Sequence, residues 1–189
     1  MRDRLKETTT QAILDAAETE LAEEGFAATA MSSIAKRAGV SVGTLYNYFE
    51  DKDKLLASLI GDRRERFSGL LDDALAAHKS LPFEIQLEGV VKAVLRIFEA
   101  HRNYLRVVWE SRITDAAGKS GERLLIERLS PLVAQGVAAG ILNSDDADLY
   151  AVTLAALIRG VVRERLDDRK HALSDATSFV LRMFLHGAC

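Results

Sequence analysis

Residues 29–54 read TAMSSIAKRAGVSVGTLYNYFEDKDK, and this stretch decides the fold. Ser32 or Ser33 is placed to accept a hydrogen bond from the first N–H groups of a new helix. Ile34, Ala35 and Ala38 then fall on one helical face. Gly39 follows where the chain must turn sharply and a positive φ is expected. Val40 fills the corner, Ser41 caps a second helix, and that helix runs from Val42 to Phe49. Leu45 and Phe49, four apart, face inward. Thr44, Tyr46, Asn47 and Tyr48 are left outside. Their hydroxyl, amide and phenol groups suit phosphate oxygens and base edges. Asp51 is placed to cap the next helix. Lys52 in its first turn opposes the helix dipole, which makes sense if it helps to hold a phosphate.

Working outward, the stretch resembles the N-terminal domain of the TetR family of transcriptional regulators. The residues that carry the resemblance are Gly25-Phe26, Thr29, Ile34-Ala35, Ala38-Gly39-Val40-Ser41, Gly43-Thr44-Leu45-Tyr46, Tyr48-Phe49 and Lys52. The resemblance is dense over the first quarter of the chain. Beyond it, only length and helical layout agree. It implies an all-α protein of about nine helices. A three-helix helix-turn-helix domain (1–51) would bind operator DNA, and a helical domain (52–189) would bind a small-molecule effector and form a homodimer. The expected DNA contacts are Ser41, Val42, Gly43, Thr44, Tyr46, Asn47, Tyr48 and Lys52, with Thr29 and Arg37 in support. Thr44 and Asn47 are the better readers of bases, Val42 could touch a thymine methyl, and Tyr46, Tyr48 and Lys52 would hold phosphates.

Composition agrees with an all-α chain. The 189 residues are 48% hydrophobic, with two prolines, and strand-like alternation is missing. The net charge of -3 argues against a DNA binder that works by overall charge. Cations are nonetheless available locally at Arg2, Arg4, Lys6, Lys36, Arg37, Lys52 and Lys54. Glu20, Glu23 and Glu24 offset them and are expected to face away from DNA. Cys189 is the only cysteine, so no intramolecular disulfide forms, and a terminal thiol is a poor redox sensor. Met1 to Thr10 is too polar for a secretory signal, and no run is apolar enough to span a membrane. A cytoplasmic location fits.

Periodicity places helix one at Thr9–Glu24, with Ile13, Ala16, Ala17 and Leu21 inward and Gly25 as the stop. The arm before it, Met1 to Lys6, either reaches a minor groove through Arg2 and Arg4 or is a solvated tail. Helix four runs from Lys52 to His78, with Leu56, Leu59, Ile60, Phe67, Leu70, Leu71 and Ala74 inward. Arg63, Arg64 and Arg66 read as a solvated face. Helix five spans Pro82–Ala100 and helix six Tyr104–Arg112. TDAAGKSG (114–121) reads as a loop. Helix seven spans Glu122–Ala139, with a kink expected from Pro131. Helix eight spans Asp146–Leu166 and helix nine Ser174–His186, with Leu173 as a staple.

The last two helices carry apolar faces that either pack within the chain or meet a second copy. Ile158, Val161, Val162, Phe179, Val180, Met183 and Phe184 are the expected dimer contacts, and Gly160 suggests a close helix approach. A two-fold dimer would read two half-sites. Expected effector-lining residues are Phe67, Phe83, Leu87, Phe98 and Tyr104, followed by Val108, Trp109, Leu125, Tyr150 and Leu154; each could equally be plain core. Trp109, Tyr104 and Arg112 would suit a planar or anionic ligand. The four histidines are scattered, so neither a metal site nor a cofactor is expected. No Ser-His-Asp order or glycine-rich phosphate loop supports an enzyme. A regulator without an effector remains the alternative to a ligand-released repressor.

Overall fold

A computed structural model of the protein describes residues 2–110, 114–143 and 146–187. The readings made for Met1, Arg112 and Cys189, and for the side chain of Arg2, lie outside the described residues. Among these residues the chain forms nine α-helices and no strand. They are α1 (Arg2–Ala28), α2 (Met31–Arg37), α3 (Val42–Tyr48), α4 (Lys52–His78), α5 (Phe83–Ala100), α6 (Arg102–Glu110), α7 (Thr114–Ala138), α8 (Ala147–Glu164) and α9 (Thr177–His186). A 3-10 turn, Leu173–Ala176, leads into α9. Among the described residues no helix is long and apolar enough to cross a membrane.

The chain divides into two compact units, one of Met1–Glu65 and Asn103–Gly118, the other of Arg66–Arg102 and Lys119–Cys189. In the first, Ile13, Leu14, Ala17 and Leu21 of α1 are buried, with Ile34 and Ala35 of α2, Leu45 of α3 and Leu55, Leu56 and Leu59 of α4. The helix α2 packs against both α1 and α3. In the second, α5 buries Phe83, Gln86, Leu87, Val90, Val91, Val94 and Leu95, a three-and-four spacing that keeps one face inward. It packs against α8, α9 and the 3-10 turn. Each fully buried aliphatic side chain contributes about 1.5–3 kcal/mol relative to exposure.

Several boundaries differ from the sequence reading. The N-terminal arm is helical from Arg2. The hydroxyls of Thr8, Thr9 and Thr10 donate to the carbonyls of Arg4, Leu5 and Lys6, each at 2.9 Å. Helix α2 is preceded by Ala30, not by a serine cap; the Ala30 carbonyl takes the N–H groups of Ser33 and Ile34, so Ser32 and Ser33 sit in the first turn. Residues 114–121 are the start of α7 and not a loop. Ala116, Ala117 and Lys119 favour helix, and a glycine costs about 1 kcal/mol there without stopping it. Leu70, expected inside, is exposed. Gly25, Gly39 and Gly140 all end helical runs with positive φ.

Arg63 overturns the reading of a solvated arginine face. Its side chain is only 6% exposed and bonds Asp15 at 2.5 Å, Glu18 at 2.6 Å and Asp62 at 2.7 Å. Gln11 donates to Asp62 at 2.9 Å. Burial lowers the guanidinium pKa, but hydrogen bonds to Glu18 and Asp15 outweigh it and leave the pKa raised. The first half of α4 is thereby fastened to α1 by charge-assisted bonds. Arg64 and Arg66 stay exposed.

Candidate nucleic-acid interface

Helix α3 is a short element with one buried side. Leu45 is fully buried and Phe49, just past its end, is nearly so. These two hydrophobes fix its rotation, and the opposite side faces out. Tyr46 is 51% exposed and Val42 41%; Ser41, Gly43 and Asn47 are also exposed, while Thr44 and Tyr48 are half-buried. The Ser41 side chain accepts the Thr44 N–H at 3.0 Å, which caps the helix. The two hydroxyls also bond each other at 2.8 Å. Gly39 makes the turn between α2 and α3 with φ of 71°, a left-handed conformation that costs other residues roughly 1–2 kcal/mol. Asp51 caps α4 through the Lys54 N–H at 2.7 Å.

Three expected contacts are placed differently. Thr29 is 3% exposed. Its hydroxyl donates to the carbonyls of Gly25 at 2.8 Å and Glu20 at 3.2 Å, so it supports the turn from within. Arg37 bonds Glu20 and Glu23, each at 2.6 Å. Arg37 and these two acids, expected on opposite sides, thus form one cluster. Its guanidinium pKa is raised, chiefly by the hydrogen bond to Glu20. Lys52 points its ammonium at the backbone of α1 and the turn after it: it donates to the carbonyls of Phe26 at 2.5 Å and Thr29 at 2.7 Å, and it sits 4.5 Å from the centre of the Phe26 ring.

Residues 13–59 match the family described as bacterial regulatory proteins, tetR family. The chain is 32% identical over 164 residues to the transcriptional regulator BetI of Rhizobium meliloti, covering 82% of this chain and 77% of that one. The chain belongs to the TetR family of bacterial regulatory proteins. Two solved structures share the fold. The fatty acid degradation regulator FadR of Bacillus halodurans superimposes with a TM-score of 0.82 at 25% identity, over 95% of each chain. FadR of Bacillus subtilis, solved with stearoyl-CoA, gives 0.79 at 23% identity, over 95% of this chain and 99% of that one. This TetR-family protein is thus a DNA-binding transcriptional regulator, and the α2–turn–α3 segment is its helix-turn-helix.

In the second unit of this TetR-family chain, the expected effector-lining residues divide. Leu87, Leu125 and Leu154 are plain buried core. Phe67 packs on Phe98 at 5.9 Å and on His101 at 4.9 Å between ring centres. Phe83 presses on Gly136: a Cβ there would lie 2.5 Å from the ring. Tyr150 meets the edge of Phe184 at 5.9 Å, and its oxygen accepts the Asn143 N–H at 3.1 Å. Tyr104 and Val108 are buried and Trp109 half-buried in the first unit. Burial pushes the Tyr104 phenol up to about 12 against the opposing pull of Arg64. The sequence reading missed His101 and Gln86. Gln86 is buried, and among the described residues its Oε1 has no hydrogen-bond partner; the signal was a single amide inside the apolar periodicity of α5.

The apolar faces of α8 and α9 also resolve. Ile158, Val162, Val180 and Phe184, expected at a dimer contact, are buried within the chain and serve its own core. Val161 and Met183 are half-buried and Phe179 is 45% exposed. Val152, Ala156, Leu157, Gly160, Val161 and Phe179 line a surface hollow of about 660 Å³. Among the described residues, a Cβ on Gly160 would meet nothing within 4 Å, so none of their helices approaches there.

Proposed function

We propose that this regulator is a repressor that occupies its operator as a two-fold dimer and is released when a small molecule binds its helical C-terminal domain. The observation that carries the reading is the outward face of α3, held on buried Leu45 and Phe49 and capped by Ser41. Thr44 and Asn47 contact base edges, Val42 a thymine methyl, and Tyr46 and Tyr48 the phosphates, with Ser41 and Gly43 close to the backbone of the DNA. One such short helix reads few base pairs. The hollow between α8 and α9, apolar around Phe179 and Val161, supports pairing of two copies, which supplies the second half-site. Acting on operator DNA, such a regulator works in the cytoplasm.

Release requires that the effector bind the two states unequally. A hundredfold difference corresponds to about 2.7 kcal/mol per site. Long-chain acyl-CoA is the first class to test, because the FadR of Bacillus subtilis was solved with stearoyl-CoA.

The test begins with operator selection from random DNA, followed by fluorescence anisotropy over a salt series. We expect tight binding that saturates at whole dimers, loss of binding in Tyr46→Ala with the helical content unchanged, and release by stearoyl-CoA but not by free CoA. Operator binding that survives Tyr46→Ala at moderate salt would overturn the assignment of α3. Indifference to acyl-CoA would overturn that effector class alone.

A further inference from the structure

We infer that Lys52 is a positioning residue for the DNA-reading helix and not a phosphate contact. The inference rests on the DNA-binding reading above and concerns how the head holds its shape. Past the break at Gly25 (φ 77°), α1 ends at Ala28. Carbonyls at such an end have no helical donor. The Gly25 carbonyl is satisfied by the N–H and the hydroxyl of Thr29. The carbonyls of Phe26 and Thr29 are met from elsewhere in the sequence: both take a hydrogen from the Lys52 ammonium, and the Phe26 ring lies against the same cation. A cation at a helix C-terminus is favourable in its own right, and an aromatic face adds to it.

The consequence for α3 follows from chain order. The segment from Phe26 to Thr29 leads into α2, and Lys52 opens α4. Joining them closes a ring of backbone that contains α2, the Gly39 turn and α3. The pose of α3 is then held on one side by buried Leu45 and Phe49 and at both ends of the ring by Lys52. Two hydrogen bonds from the ammonium go to protein carbonyls, and the Phe26 ring centre lies 4.5 Å from it. Little of the group is left for a phosphate oxygen.

The two roles differ in salt dependence. Each phosphate contact adds roughly 0.9 to the slope of log K against log salt. The experiment measures Lys52→Met and Lys52→Gln, as full-length dimers, on the selected operator and on a scrambled duplex across a salt series, with thermal melts alongside. Wild-type protein that does not prefer the operator would overturn the DNA reading, whatever the variants do. Given that preference, we expect Lys52→Met to weaken operator binding by roughly tenfold or more, as expected for losing bonds to a charged donor. We further expect the slope and the scrambled-duplex affinity to stay as in wild type. Lys52→Gln, neutral but still a donor, should recover part of the loss. A slope reduced by roughly 0.9 per head, with operator and scrambled DNA weakened alike, would overturn the inference and restore a phosphate contact. Equal loss on both duplexes that disappears well below the melting transition would overturn it too, as a stability effect only.

Discussion

At the scale of single residues, Tyr104 and Arg63 show environments that sequence patterning does not report. Tyr104 is one of four tyrosines, and its burial raises the phenol to about 12. In a spectrophotometric titration we expect one phenol to ionise late and Tyr104→Phe to remove that phase. Between the ordinary tyrosine value near 10 and about 12 the unfolded chain loses this proton first, so stability should fall as pH rises through that window. Arg63 follows the same sign at higher pH. Its pKa is raised, so its contribution is fully present below the ordinary arginine range and is lost only above it. Arg63→Met should lower stability by about 2 kcal/mol or more, because three carboxylates then face one another. That difference, read by chemical denaturation, should be flat from about pH 6 to 9. Neither role was legible beforehand. Arginines at 63, 64 and 66 look alike as letters, and only the register of α4 against α1 selects the first for burial.

At the scale of elements, much of the reading held because short-range chemistry decides it. Ser41 caps α3, Asp51 caps α4, and Gly39 turns the chain; each is determined within four residues. The misplaced start of α2 and the helical 114–121 segment mark the limit, since competing local signals there are of similar size and tertiary packing chooses between them. The DNA-facing set was legible only for residues whose own helix orients them. Thr29 and Lys52 belong to the same motif, yet a motif does not say which of its members point inward. Between elements, Gly136 illustrates a contact that no pattern announces. Alanine normally favours a helix over glycine by about 1 kcal/mol. Here the added Cβ would sit 2.5 Å from Phe83 and 2.9 Å from Leu142. We expect Gly136→Ala to destabilise the protein by about 1–3 kcal/mol, reversing the propensity, and Phe83→Leu in the same chain to recover part of it. A Gly136→Ala variant that melts higher than wild type would contradict the packing described.

At the scale of the whole molecule, the reading of an all-α regulator came from a quarter of the chain. The remainder gave helix positions but not which hydrophobes stay outside. The α8 and α9 faces were visible as apolar stripes; that Ile158 and Val180 are core while Phe179 is surface depends on how α5 divides them. Phe179→Arg should therefore leave the monomer folded, because the side chain is 45% exposed, yet halve the mass measured by light scattering and abolish high-affinity operator binding. A Phe179→Arg protein that remains dimeric would place the subunit contact elsewhere. The internal neutralisation of the head carries a further consequence. Acids outnumber cations over residues 1–51, Arg37 is held by Glu20 and Glu23, and Arg63 is held by three carboxylates. Bulk chromosomal DNA would then be a poor sink for this protein, since sequence-independent affinity scales with the phosphates neutralised. A small number of molecules would suffice to keep an operator filled, and their search would proceed by repeated free encounters more than by long slides along the duplex.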